Sequence, residues 1–296
     1  MFKSVLSKSR ALPWKIGDQV LSCQPSPLIM GIVNVTPDSF FDGGQHNTLD
    51  AAFQHSMKLL QEGAVILDIG GESSRPGSAP VSVQEELDRV CPLVERLAKF
   101  AKNSDAPTFY MSVDTVKSKV AQETMNLGAH IINDISACAM DKDMPAVVAK
   151  TGASVVLNHM RGNFGTMQQD FKPYENVVQE VREELLAQAK LLLDLGVEPQ
   201  KICLDPGIGF GKTVQDNIDL MKSVEDMLED GYPVLIGTSR KSYIGKMAGL
   251  ETSDRLIPTV TAGIVAALGG ASIIRVHDVK EAKESMLYLE GMNGSV

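Results

Sequence analysis

Eight times along this chain a short apolar run gives way to a stretch with helical spacing, and each run stops on polar side chains. The runs are 28–33, 64–69, 108–113, 130–132, 153–157, 202–204, 234–236 and 271–275. They do not alternate apolar with polar. That marks strands buried on both faces, and therefore a parallel sheet. Helical patterns follow at 48–62, 82–102, 116–127, 144–150, 174–195, 214–228, 242–268 (one helix or two), and on to about 290. Thr48 is the expected N-cap of the first helix and Gly63 its end, and Ser82 with Glu85 reads as a capping box. Eight β/α units in 296 residues match the α/β class as a single-domain (β/α)8 TIM barrel. A doubly wound open sheet is the rival. Residues 1–27 are expected to form an N-terminal leader, with a short hairpin around Trp14, Gly17 and Asp18, and 28–296 the barrel domain.

The polar ends carry the functional reading. They are Asn34; Asp68 to Glu72; Asp114; Asn133; Asn158 and His159; Asp205; Ser239 to Lys241; Arg275 and His277. In a barrel the C-terminal strand ends share one face, where the active site lies. Asp68 differs by register, since it falls within its strand and is expected to point into the core. The richest of these ends is 201–213, KICLDPGIGFGKT, a buried strand running into an aspartate and a Gly-rich loop. It is not a phosphate-cradling G-x-x-x-x-G-K-[ST] loop, because Pro206 stands where the first glycine is needed. It is not a G-x-G-x-x-G fingerprint either, because Lys212 stands where the last glycine is needed.

Two sets of groups converge. Asp114, Asn133, Asp205 and Lys241 offer carboxylates, an amide and an ammonium, a mixture able to read a flat heterocycle rich in donors and acceptors. Arg75, Arg275, His277 and Asn34 suit phosphate oxygens. Ser242 opens a helix, whose first N–H groups can hold a further anion. No nucleophile triad and no transition-metal spacing is present. A hard cation, held mainly by phosphates and one oxygen from Asn34, fits better. His159 is expected to be structural, at the barrel rim.

The formal net charge of −9 argues against nucleic-acid or anionic-membrane partners. The four cysteines, Cys23, Cys91, Cys138 and Cys203, form no C-x-x-C pair and read as reduced thiols. The basic N-terminus lacks the apolar core of a secretory signal, and no apolar run is long enough to span a membrane. The expected location is the cytoplasm.

Seven segments resemble the dihydropteroate synthase family, in that family's order. They are GIVNVTPDSFFDGG (31–44), DIGGESSRPG (68–77), SVDT (112–115), IINDI (131–135), LDPGIGFGK (204–212), GTSRKS (237–242) and RVHDV (275–279). The resemblance implies a folate-biosynthesis enzyme that joins 6-hydroxymethyl-7,8-dihydropterin diphosphate to 4-aminobenzoate, giving 7,8-dihydropteroate and diphosphate. By that resemblance Asp114, Asn133, Asp205 and Lys241 hold the pterin. Asn34, Arg275 and His277 hold the diphosphate, Asn34 through Mg²⁺. Ser74 and Arg75, with Asp38 and Phe41, belong to mobile loops, and Phe210 and Ser242 meet 4-aminobenzoate. Diphosphate leaves first, and the amine captures the pterin cation, with Asp114, Lys241, Arg275 and His277 as the catalytic set. The resemblance also implies a homodimer, with 281–290 a candidate contact, and a sulfonamide target. Phe41, Ser74 and Asn158 depart from the usual family residues Ser, Thr and Met. Asn158 therefore places a polar group where an apolar pterin contact is usual. The alternatives are a methyltetrahydrofolate–corrinoid methyltransferase barrel, a Schiff-base aldolase using Lys241, and a folate-binding protein without activity.

Overall fold

Every strand of the main sheet pairs in parallel with its neighbour. The order is β8-β7-β6-β5-β4-β3-β10-β9. These strands are β3 (Leu28–Asn34), β4 (Ile66–Gly70), β5 (Tyr110–Asp114), β6 (Ile131–Asp134), β7 (Ser154–Asn158), β8 (Ile202–Asp205), β9 (Leu235–Ile236) and β10 (Ile273–Val276). A parallel bridge between Leu204 and Val234 brings the two ends together, with Leu204 N donating to Pro233 O at 2.9 Å. The sheet is therefore a barrel and not an open, doubly wound sheet. The computed structural model describes residues 10–36, 45–73, 80–162 and 173–292.

The helices are α1 (Gln45–Gln61), α2 (Val83–Phe100), α3 (Ser118–Asn126), α4 (Met144–Thr151), α5 (Val177–Asp194), α6 (Val214–Lys222), α7 (Val224–Leu228), α8 (Ser242–Ala248), α9 (Leu256–Leu268) and α10 (Val279–Met292). Three expectations change at their ends. The first helix begins at Gln45, so Thr48 lies inside it and is not its cap. Ser82 does accept from Glu85 N, but the Glu85 side chain turns to Arg89 and leaves the box half made. The complete capping box is at Thr213 and Asp216. The expected 214–228 helix breaks at Ser223 into α6 and α7.

Alternation along each strand decides what fills the barrel. Met30, Ile66, Tyr110, Ile131, Val156, Cys203, Leu235 and Ile273, one from each barrel strand, form a single interior cluster with Trp14 and Ile16. Two residues further along the same strands stand Ile32, Asp68, Ser112, Asn133, Asn158, Asp205, Gly237 and Arg275. The interior thus turns from apolar to polar within one layer. The outward residues of opposite parity, such as Val33, Leu67, Val113 and Leu204, pack with helix residues such as Leu93, Leu97, Val120 and Leu185 in a separate core.

Trp14 and Ile16 come from β1 (Trp14–Ile16), which forms an antiparallel hairpin with β2 (Gln19–Leu21). The hairpin closes the barrel floor. Trp14 Nε1 donates to Lys201 O at 3.1 Å, Ser154 Oγ donates to Lys15 O at 2.8 Å, and Leu12 N donates to Ser272 Oγ at 3.1 Å. This part of the expected leader belongs to the barrel's own core. Trp14→Ala should therefore cost about 3–5 kcal/mol of stability, the usual range for emptying a buried aromatic site. Chemical denaturation checks this, and an unchanged midpoint would mean the hairpin is not part of the cooperative unit.

Candidate active site

At the polar layer a partly buried cation sits between two carboxylates. Arg275, on β10, donates through Nε to Asp68 Oδ2 at 2.6 Å and through Nη2 to Asp114 Oδ2 at 2.8 Å. Asn133 Nδ2 donates to the same Asp68 oxygen at 3.1 Å. Asp68 is fully buried, as its register required, and it reaches past β3 to meet a residue 207 positions away on β10. Its other oxygen, Oδ1, and the neighbouring Ser112 Oγ have no partner within the described residues. Burial works to lower the Arg275 pKa, but Asp68 and Asp114 outweigh it and hold the guanidinium above its usual value. Burial pushes Asp114 upward, and Arg275 pulls it only part of the way back. Arg275, expected to suit phosphate oxygens, also bridges two carboxylates in the fold.

The second half of the site is the turn after β8. Asp205 is 5% exposed, and its Oδ1 accepts from Gly207 N at 2.7 Å. Burial pushes its pKa up to about 6, against the pull of that N–H and of Lys241, Arg275 and Lys212. Lys241 Nζ donates to Ile208 O and lies 3.8 Å from the centroid of the Phe210 ring. Gly209, at φ +86°, is required here, since a β-carbon would come within 2.7 Å of Lys241 Cδ. Burial pushes Lys241 down to about 8, opposed by Asp205, so the amine stays mostly charged at neutral pH.

Lys241 is delivered by a strained residue. Arg240 has φ 54°, the left-handed region, in a non-glycine residue. It is held by Asp278, which accepts from Nε at 3.0 Å, by Thr259 Oγ1, which accepts from Arg240 N at 3.1 Å, and by Arg255, which donates to Arg240 O at 3.1 Å. Ser239 Oγ lies 2.9 Å from His277 Nδ1 and accepts from His277 N at 3.2 Å, which fixes the ring at the barrel mouth. Asn34 ends β3, and its Oδ1 is 3.8 Å from where a β-carbon on Gly70 would stand, with Asp114 Cβ 3.6 Å from the same point. Ser242 is the exposed first residue of α8. Ser74, Arg75, Asp38 and Phe41 lie outside the described residues. Among the described residues, no three His, Cys, Asp or Glu side chains gather as a metal chelate.

The pterin binding enzyme family profile matches residues 30–277. The dihydropteroate synthase of Escherichia coli K12 is 44% identical over 264 residues, covering 89% of this chain and 91% of that protein. This chain belongs to the dihydropteroate synthase family. The Xanthomonas albilineans family member with 4-aminobenzoic acid superposes with a TM-score of 0.86 at 39% identity, covering 95% of this chain and 98% of that one. The Yersinia pestis member in a sulfonamide complex gives 0.86 at 40% identity, covering 96% and 100%. Asn158, where the family usually has Met, donates one of its two Nδ2 hydrogens to Ile135 O at 2.9 Å in the neighbouring loop.

Four residues that lie in the quoted motifs but had no site role there now stand in or beside the site: Asp68, Ser239, Arg240 and Lys212. Asp68 was visible by strand parity. The other three depend on contacts across loops, which no local pattern reveals.

Proposed function

We propose that the protein is a dihydropteroate synthase that works by departure of diphosphate followed by capture of the pterin cation by 4-aminobenzoate. The observation that carries the mechanism is the polar layer, where carboxylates, an amide, a guanidinium and an ammonium stand above the apolar floor. Asp205, Asn133 and Asp114 meet the pterin edge, with Lys241 donating beside them. Negative charge from Asp114 and Asp68 offsets positive charge developing on the pterin, and Arg275, whose guanidinium is 19% exposed, both holds these carboxylates in place and meets the leaving diphosphate. His277, fixed by Ser239, and Asn34 stand at the mouth toward the leaving diphosphate. The arylamine approaches over Phe210, with its carboxylate toward Ser242. It attacks a cation, so the site needs no strong base. Mixing dihydropterin diphosphate with 4-aminobenzoate should yield 7,8-dihydropteroate, and a sulfonamide should compete with the amine. Pterin binding without product would overturn the proposal. The alternative chemistries have less support: a relative matched over 89% of this chain is a dihydropteroate synthase, and Lys241 is engaged with Ile208 O rather than free for a Schiff base.

Mg²⁺ fits this donor set. Asn34 offers one hard amide oxygen, and a cation with so few protein ligands is held chiefly by substrate phosphates. Bound there, it would neutralise charge on the departing diphosphate.

The raised Asp205 pKa gives a pH prediction. Pterin ring donors favour the ionised carboxyl, so binding lowers its pKa from about 6. Below that pH, binding must expel a proton, and affinity should fall by up to about tenfold per unit. Asp114, also raised, adds to the release. Calorimetry at acid and neutral pH, in buffers of different ionisation enthalpy, reads it directly. Proton uptake instead of release would reverse the assignment.

The protein is further proposed to be a cytoplasmic homodimer. Among the described residues no helix is long and apolar enough to cross a membrane. Ile257 and Val265 on α9, and Leu287, Tyr288 and Met292 on α10, expose 77%, 47%, 50%, 70% and 51% of their surface. Such a patch on adjoining helices suits a self-complementary contact. Ile257→Glu with Tyr288→Glu should turn the dimer into a monomer by light scattering. A wild-type chain that is already monomeric would refute the contact.

A further inference from the structure

Beneath the Gly-rich turn an ammonium is enclosed by backbone. Lys212 Nζ donates to His159 O at 3.2 Å, Gly207 O at 3.0 Å and Phe210 O at 3.1 Å, and lies 3.0 Å from His159 Nδ1. An ammonium only donates, so this ring nitrogen accepts, and with three hydrogens for four acceptors one hydrogen is shared. The other ring nitrogen, Nε2, is 2.9 Å from the Glu184 carboxylate, which only accepts, so Nε2 carries the proton. His159 is 3% exposed, and burial pushes its pKa down to about 4. The ring is therefore neutral, with its tautomer set from both sides. Arg161 pairs with the same Glu184 and closes the chain of contacts.

The residues that Lys212 grips are those from which the site is built. A β-carbon on Gly207 would fall 1.8 Å from His159 O, so the turn and the end of β7 touch backbone to backbone. Gly207 N donates to Asp205, Ile208 O accepts from Lys241, and the Phe210 ring lies under the Lys241 amine. Drawing a lysine in among three carbonyls and an imidazole strips water from its ammonium, and that desolvation pushes its pKa down to about 7. A surface turn with no function would be served by a shorter polar residue.

We propose that Lys212 is a positioning residue: seated on neutral His159, it fixes the 207–210 turn so that Phe210 and Lys241 together form the surface that receives the arylamine. This rests on the reading that Phe210 meets 4-aminobenzoate, and that reading has its own control. Phe210→Ala alone should raise the KM for 4-aminobenzoate by on the order of tenfold. An unchanged KM there would count against the Phe210 reading itself.

The test is a double-mutant cycle with steady-state kinetics. Lys212→Met keeps the stem and removes the ammonium. It should raise the 4-aminobenzoate KM about tenfold while leaving the KM for dihydropterin diphosphate within about threefold. In the Phe210→Ala background it should add nothing further to the amine KM. Equal rises in both KM values, or full additivity with Phe210→Ala, would overturn the proposal and leave Lys212 a general stabiliser. If the Met variant does not fold, Lys212→Arg enters the same cycle. Its guanidinium does not fit four acceptors around one nitrogen, so the amine KM should again rise only when Phe210 is present. Additive effects would again overturn the proposal.

Discussion

Arg275→Ala is expected to lower kcat/KM for dihydropterin diphosphate by roughly a thousandfold, the upper range for removing one preorganised charge from a closed site. The size follows from what Arg275 touches. It donates to Asp68 at 2.6 Å and to Asp114 at 2.8 Å, with side-chain exposures of 19%, 0% and 15% for the three residues. Without it, two carboxylates share a buried site with no cation between them. Breaking a buried pair in this way costs about 3–5 kcal/mol, because the remaining charge is left uncompensated. Part of that cost is relieved when the carboxyls take up protons, which spoils them as acceptors for pterin. Bare pterin should therefore also bind more weakly, by roughly tenfold, or about 1.4 kcal/mol. The diphosphate-bearing substrate should lose much more. Equal losses for the two ligands would make Arg275 a structural pin of the carboxylates alone. Kinetics with the diphosphate and calorimetry with the bare pterin separate these outcomes.

Asp205→Asn should weaken pterin binding by about a hundredfold. Asp205 Oδ1 already accepts from Gly207 N at 2.7 Å, which leaves Oδ2 for the ligand. Asparagine keeps the Gly207 bond by its oxygen and then turns an NH₂ group toward the pterin's own N–H donors. Two buried donors facing each other cost about 3 kcal/mol once the lost charged acceptor is included. The 4-aminobenzoate KM should move little, because Phe210 and Ser242 are untouched. Unchanged pterin affinity by calorimetry would remove Asp205 from the ligand edge.

The barrel was legible because parallel strands buried on both faces leave uninterrupted apolar runs. Six of the strand-end polar groups, Asn34, Asp114, Asn133, Asp205, Arg275 and His277, could be placed on one face from strand order alone. What was not legible is how they pair. Strand parity put Asp68 inside the barrel, yet its partner is 207 residues away, brought beside it because the last strand pairs with β3. Lys212 read as one more residue of a Gly-rich motif. Its role follows from His159, 53 positions earlier, whose carbonyl and ring both face it. The Thr48 cap failed because helix starts depend on how the chain enters the turn, and a single Thr inside a helical pattern carries little of that. The hairpin at Trp14 was visible, but its insertion into the barrel floor was not, because three-residue strands carry no periodicity.

The most direct test of the account is diphosphate release from dihydropterin diphosphate, followed with and without 4-aminobenzoate and with and without Mg²⁺. The dissociative reading predicts Mg²⁺-dependent release even when the amine is absent, and conversion to 7,8-dihydropteroate when it is present. Release that occurs only with the amine bound would contradict it, and would mean that the amine displaces diphosphate in a single step.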